Sequence, residues 1–272
     1  MTSPLTVLKL GGELIEDAPR TRLLAQAIAA AAARTPLIVV HGGGRDIDAA
    51  LARAGITKHQ VDGIRVTDEA TLGVVVSVLA GSINTRFVAA IGACGGRAVG
   101  LTGADASVAP AQPMPPLAAV DGRTVALGFV GQPSLTGRAD LLACLVGAGY
   151  IPVIASIAAD SDGTLYNVNA DTMAAAVAIR ANAGRLVIMG TTPGVLDANE
   201  QNVGTLDPAT EAAMVSAGTI HAGMIAKIRA CRAALAGGVS SASIGDGRDP
   251  DRVWSMLCAP ADAAGFITTV VA

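Results

Sequence analysis

Short apolar runs rich in β-branched residues alternate with longer alanine-rich segments along almost the whole chain. The runs 6–10, 37–41, 98–101, 151–154, 186–190 and 241–244 have strand length and composition. The segments 21–34, 46–54, 68–94, 140–148, 171–183, 208–217 and 223–236 read as helices, with Asp68 placed to cap the long one. Strands and helices in this order form βαβ units, so the chain is expected to build a mostly parallel sheet with helices on both faces. The stretch 114–131 breaks the rhythm, being proline-rich and then patterned as short strands around an Asp121-Gly122 turn. Composition hardly shifts along the 272 residues, so a boundary between lobes is placed by topology, near residue 180.

The composition narrows what such a sheet can serve. Hydrophobic residues make up 51% and charged residues 15%, enough for a sizeable core and unlike a disordered chain. Aromatic residues are 2%, too few for a base-stacking platform. A net charge of −3 and a pI near 5.6 imply no basic face for nucleic acid or anionic membrane. Cys94, Cys144, Cys231 and Cys258 are far apart and match no zinc spacing; a disulfide pair is the competing reading to scattered buried thiols, which suit a reducing cytosol. The N-terminus lacks the basic and apolar regions of a signal peptide. The uncharged stretch 141–159 is interrupted by Gly147, Gly149 and Pro152, so it splits into a helix end, a stop and a buried strand instead of spanning a membrane.

Two glycine clusters follow predicted strands. Gly11-Gly12 comes after Lys9-Leu10, and Gly42-Gly43-Gly44 comes after His41. Open α/β sheets bind ligands at strand C-termini, where glycines let backbone N–H groups approach an anion and a following helix adds partial positive charge. Neither cluster is a Walker A loop or a dinucleotide fingerprint, and tight turns alone are the competing reading. Lysine is used sparingly. Only Lys9, Lys58 and Lys227 are lysine among 19 basic residues. A compact ammonium suits a transferring phosphoryl group where a planar guanidinium does not. Lys9 and Lys227 are therefore candidate phosphate ligands, and Lys58 is a loop residue. Asn167, Asn169 and Asp171 lie at a strand-to-helix transition, where the two amides can face one site. Asp171 is a site carboxylate or simply a helix cap. Arg65 precedes the long helix, and its fork suits a carboxylate. His41 is expected to order the glycine loop, His59 to be exposed, and His221 to lie near Lys227. No catalytic triad or metal-ligand cluster is legible.

With these residues in view, the chain resembles the amino acid kinase family almost end to end, and within it the branch that phosphorylates acetylated glutamate. The resemblance rests on Leu8-Lys9-Leu10-Gly11-Gly12, His41 to Gly44, Val61-Asp62-Gly63-Ile64-Arg65-Val66-Thr67-Asp68 and Gly95 to Leu101. It rests also on Gly128-Phe129-Val130-Gly131, Tyr166 to Asp171 and Pro193-Gly194-Val195-Leu196-Asp197. It implies an α/β three-layer αβα sandwich with a mainly parallel open sheet and two lobes. Residues 1–180 would bind the acyl amino acid and dimerise, and residues 181–272 would bind the nucleotide. It implies ATP and N-acetyl-L-glutamate as partners, Mg²⁺ held mainly by the phosphates, and a cytoplasmic homodimer.

Carried over position by position, Lys9 and Lys227 would stabilise the transferring phosphoryl group, with Asp171 holding them in place. Gly43, Gly44, Arg65 and Asn167 would bind the acyl amino acid, and Gly11 and Gly12 would offer N–H groups to phosphate. Thr191, Thr192, Pro193, Gly194, Val195 and Leu196 would line the nucleotide pocket, with Thr219, Ile220, His221, Ala222, Gly223 and Met224. Residues 56–66 are a candidate lid. The chain departs from the family at Thr191-Thr192, where Asp-Val is usual, at Ala222, and at Arg45. No room is expected before the first strand for the extra helix of arginine-inhibited members, so arginine at millimolar concentration should leave activity unchanged. Two alternatives stand beside this reading. One is a sister kinase acting on N-succinylglutamate or on carrier-bound glutamate or aminoadipate. The other is a silent amino-acid-sensing module, against which the intact Lys9, Lys227 and Asp171 speak.

Overall fold

The computed structural model describes residues 3–118, 122–220, 222–258 and 267–272. Eight strands form one sheet in the order β14-β16-β15-β13-β1-β2-β10-β5. These are β1 (Thr6–Leu10), β2 (Leu37–His41), β5 (Ala98–Thr102), β10 (Ile151–Ala155), β13 (Arg185–Gly190), β14 (Thr205–Leu206), β15 (Ser241–Asp246) and β16 (Ile267–Val270). All pair in parallel except β15 with β16. The expected parallel sheet is thus present, and β14 and β16 extend it beyond the predicted strands. A second sheet, ordered β11-β12-β9-β6, uses β6 (Ala111–Pro113), β9 (Val130–Pro133), β11 (Ile157–Ala159) and β12 (Leu165–Val168). Two small hairpins complete the strands. One is β3 (Gln60–Val61) with β4 (Ile64–Arg65), inside the candidate lid, and the other is β7 (Leu117–Ala118) with β8 (Thr124–Val125). Asp121, expected at the turn of the second hairpin, lies outside the described residues.

The helices are α1 (Ala18–Ala32), α2 (Gly44–Arg53), α3 (Glu69–Val76), α4 (Asn84–Ala93), α5 (Asp140–Gly147), α6 (Ala170–Arg180), α7 (Pro208–Ser216), α8 (Ala222–Ala236) and α9 (Pro250–Cys258). A π-helical segment, Ser77–Ile83, joins α3 to α4, so Glu69–Ala93 runs as one helix capped by Asp68. It is long and apolar enough to cross a membrane by length and composition, with 39% of its most apolar window buried.

The period of two along each strand sorts side chains into two cores. Val7, Ile38, Val40, Leu186 and Ile188 face the layer holding α6 and α8. Leu8, Leu10, Val39, Val187 and Met189 face the opposite layer, built from α1, α4 and α9. A strand covered on both sides is apolar throughout, which is why the central strands carry no polar alternation. Lys9 is the exception and lies on Val7's side of β1, toward α6 and α8. At the far end of α6, the guanidinium of Arg180 donates to the carbonyls of Ser107, Val108, Thr136 and Arg138. These bonds replace its lost hydration and tie the loops beside the small sheet to the helix.

Candidate active site

Three elements converge at the C-terminal ends of β1 and β2. After β1 the chain turns through Gly11 and Gly12, and the Gly11 N–H, expected to face phosphate, instead donates to Met189 O at the end of β13, 3.0 Å, leaving only Gly12 of the pair for that role. After β2 it turns through Gly42 and Gly43 into α2. The two turns touch backbone to backbone. A methyl group on Gly12 would lie 2.6 Å from Gly43 Cα, and one on Gly42 would lie 3.3 Å from Ala170 Cβ at the start of α6. Only residues without a Cβ allow this approach.

The α6 terminus supplies the charge. Asn169 is its N-cap, accepting from the N–H groups of Asp171 and Thr172 at 2.9 and 3.1 Å. This settles the alternative reading of Asp171: it is not the cap, and its carboxylate is free for the lysines. It also corrects the expectation that Asn167 and Asn169 face one site together, because the Asn169 oxygen is turned back onto its own helix. Asp171 Oδ1 stands 2.8 Å from Lys9 Nζ, and Oδ2 stands 3.5 Å from Lys227 Nζ on α8. Both Lys9 and Asp171 are 5% exposed. Burial alone would raise the Asp171 carboxyl, but Lys9 first and Lys227 second outweigh it and hold the group below the usual carboxylate range. Lys9 and Lys227 together carry one more charge than the single carboxylate they share.

Around the second glycine turn lies a different set. Arg65, 9% exposed, donates through Nη2 to Asp48 on α2 and to Gly44 O, while its Nη1 is buried with no hydrogen-bond partner among the described residues. Asp48 also holds Lys58 at 2.7 Å, and Arg65 and Lys58 together keep its carboxyl low against the upward push of burial. Asn167 donates to Thr67 Oγ1 at 3.2 Å, and Thr67 Oγ1 donates to Arg65 O at 3.1 Å. Thr67 is fixed in turn by Gly128, whose φ of +68° and missing Cβ let the Thr67 carbonyl lie against it.

Behind the glycine turn is a buried polar pair that sequence reasoning half found. His41 is fully buried and orders the loop, as expected. Its partner Asn84 is the first residue after the π-helical segment. Asn84 Nδ2 donates to His41 Nε2 at 3.0 Å and to Val153 O at 2.9 Å. With Nε2 accepting, the proton sits on Nδ1 and is donated to Gly42 O at 3.1 Å. Burial drives the His41 pKa down from 6.5 to about 4, against a smaller upward pull from Gly42. This imidazole stays neutral at pH 7 and is enclosed, so it is no general base. Asn84 and Asp48 were not anticipated. Their only sequence signals are an isolated amide in an apolar helix and an acid one turn into α2.

The remaining candidates are scattered over the neighbouring edge. Thr191 and Thr192 are exposed beyond β13, whereas Gly194 and Val195 are buried, Val195 N donating to Thr268 Oγ1 on β16 at 2.7 Å. Pro193 and Leu196 are half-buried, as are Thr219 and Met224, while Ile220 is buried and Gly223 exposed. Ala222 begins α8, and His221 lies outside the described residues. His59 is exposed, as expected. Among the described residues there is no group of three His, Cys, Asp or Glu side chains able to hold a metal ion.

The arrangement has recognisable relatives. A profile described as the amino acid kinase family matches residues 4–246. The chain is 42% identical over 251 residues to an acetylglutamate kinase of Rhizorhabdus wittichii, covering 90% of this chain and 82% of that one. It is 40% identical over 251 residues to an acetylglutamate kinase of Erythrobacter litoralis, covering 90% and 83%. Its fold is similar to that of N-acetylglutamate synthase from Neisseria gonorrhoeae, solved with coenzyme A and N-acetyl-glutamate, with a TM-score of 0.80 at 24% identity. That match covers all of this chain and 60% of the synthase, so the chain spans less than two thirds of that protein's length.

Proposed function

The chain belongs to the amino acid kinase family, and from that premise we propose that it phosphorylates the side-chain carboxylate of N-acetyl-L-glutamate with ATP. The observation that carries the proposal is the Lys9–Asp171–Lys227 set, its lysine–carboxylate pair Lys9–Asp171 buried, beside two touching glycine turns. The acceptor carboxylate, with a pKa near ~4.3, is ionised at pH 7 and needs no base, which accords with a neutral, enclosed His41. One of its oxygens forms a bond to the γ-phosphorus of ATP as the bond from that phosphorus to the β–γ bridging oxygen breaks. ADP leaves with the electron pair, and the product is N-acetylglutamyl 5-phosphate. The obstacle is the approach of one anion to another. Lys9 and Lys227 offset the charge that spreads over the transferring group, and the N–H group of Gly12 adds a donor that needs no reorganisation, whereas that of Gly11 is committed to Met189 O.

Arg65 is the anchor for the acyl amino acid, with its idle Nη1 available to a carboxylate, and Gly43, Gly44 and Asn167 complete that pocket. The nucleotide lies on the C-terminal lobe, 181–272, against the segments 191–196 and 219–224, and the amino acid on the lobe 1–180. Mg²⁺ belongs to the same proposal. Both Asp171 oxygens already face lysines and no three-acid cluster occurs among the described residues, a donor set that fits an ion carried in by phosphates. When bound, that ion neutralises phosphate charge. The reading also takes the enzyme as a cytoplasmic homodimer. The helix Glu69–Ala93, apolar and less than half buried, supplies a face for the contact.

Hydroxylamine trapping tests the proposal directly, because an acyl phosphate yields a hydroxamate. With Mg²⁺ and ATP, hydroxamate is expected from N-acetylglutamate and not from N-succinylglutamate, glutamate or aspartate. Lys9→Ala or Lys227→Ala should lower kcat by about a hundredfold or more. Absence of hydroxamate from all four acceptors would overturn the reading.

A further inference from the structure

One charged group in the nucleotide half of the site has no place in the chemistry above. Glu13 lies in the short 3₁₀ turn Gly12–Leu14 that follows β1. Its side chain folds back over Gly11, where a methyl group would collide with the carboxylate. From there it reaches across to the end of β13. A methyl group on Gly190 would lie 3.7 Å from Glu13 Oε1 and 3.5 Å from Lys227 Cε. The carboxylate and the stem of a phosphate-facing lysine therefore flank the same point.

No hydrogen bond or ion pair of the Glu13 carboxylate occurs among the described residues. The neighbouring cations are engaged elsewhere. Lys9 and Lys227 face Asp171, and Arg20 donates to the main-chain oxygen of Glu13, not to its side chain. An uncompensated carboxylate beside the glycine turn and the stem of Lys227 opposes a bare triphosphate. It ceases to do so only when the triphosphate brings positive charge to that side. A divalent cation bridging phosphate oxygens does this, since hard cations are bound through carboxylate and phosphate oxygens together.

We infer that Glu13 faces the divalent ion carried by the nucleotide and makes nucleotide binding conditional on it, so that the site takes metal–ATP and rejects free ATP. This rests on the kinase reading and deepens it. Glu13 is here a selectivity residue whose signature is thermodynamic coupling between metal and nucleotide.

The test is calorimetric titration of the full-length protein with ATP and no amino acid acceptor, once in excess EDTA and once in saturating Mg²⁺. Wild type is compared with Glu13→Gln, which removes the charge and keeps the shape, and with Glu13→Ala. The ratio of the Kd without Mg²⁺ to the Kd with it is expected to fall about tenfold or more in both variants. Metal-free ATP should bind the variants more tightly than it binds wild type. Ratios equal within about twofold, or a larger ratio in the variants, would overturn the role of Glu13 while leaving the kinase reading intact. No ATP binding by wild type in either condition would overturn the kinase reading and this inference together.

Discussion

The enclosed histidine behind the second glycine turn makes the stability of this protein depend on pH in a calculable way. His41 titrates at about 4 in the folded chain and near 6.5 once exposed. A depressed folded value means that the native state refuses a proton the unfolded chain accepts. The stabilisation is therefore complete above 6.5 and is lost as pH falls toward 4. The full difference amounts to about 3 kcal/mol, of which about 2 kcal/mol is lost between roughly pH 7 and pH 5. Among the described residues Glu16, whose carboxyl burial raises, works in the opposite direction at the acid end of that window. His59 is exposed, Cys231 and Cys258 are pushed upward by burial, and Asp48, Asp171 and Asp246 are held below 3.8, so their contributions disappear only in stronger acid. Urea unfolding followed by far-UV circular dichroism at several pH values gives the slope. His41→Asn should be less stable than wild type at neutral pH, having lost the bonds to Asn84 and Gly42. Its transition should hardly move between pH 7 and 5, whereas that of wild type falls. Parallel profiles for the two proteins would refute the burial argument.

The glycine turns make a contrast of two substitutions. Gly12→Ala drives a methyl group onto Gly43 Cα and N at 2.6 and 2.7 Å, backbone that cannot yield, while Gly43→Ala meets the ends of the Ile83 and Leu79 side chains. Thermal unfolding should show Gly43→Ala destabilised by about 1–3 kcal/mol and Gly12→Ala by more; the reverse order would contradict the close backbone contact. Arg65→Lys removes the idle Nη1 and the fork geometry. In steady-state kinetics it should raise KM for the acyl amino acid about tenfold or more with kcat changed only a few-fold, and an unchanged KM would exclude Arg65 from that pocket.

Much of this was legible in the residues. The buried parallel strands stand out because both faces are covered and, Lys9 apart, their interiors are apolar. Lys9 stood out by the scarcity of lysine, and the glycine clusters by their position after strands. The small sheet did not, because β6 and β9 are short, contain Pro113 and Pro133, and take their order from pairing with β12 far along the chain. The strand β16 was missed for a related reason: Ile267–Val270 is too brief to distinguish from a tail until β15 is beside it. α9 went unread because its short apolar face, Val253, Met256 and Leu257, has a helical meaning only against α1. Asn84 was hidden inside an apolar run, since the π-helical segment that turns it toward His41 leaves no pattern in the residues before it. Glu13 was passed over because one acid after two glycines carries no signal until β13 is placed across from it.

The position of β1 has a consequence for how the chain is made. It is hydrogen-bonded on one side to β2 and on the other to β13, with Lys9 opposite Val40 and Ile188. Its second neighbour emerges from the ribosome only after most of the chain has been synthesised. Until then a mostly apolar strand offers an open row of N–H and C=O groups to any extended segment nearby, including that of another nascent chain. The two halves are thus not separable parts joined by a hinge. A cut near residue 180 would bare the middle of the sheet, and the same late docking that closes this edge brings Lys227 and Gly190 to Lys9 and Glu13. Pairing of the open strand and assembly of the Lys9–Asp171–Lys227 set are thus one step.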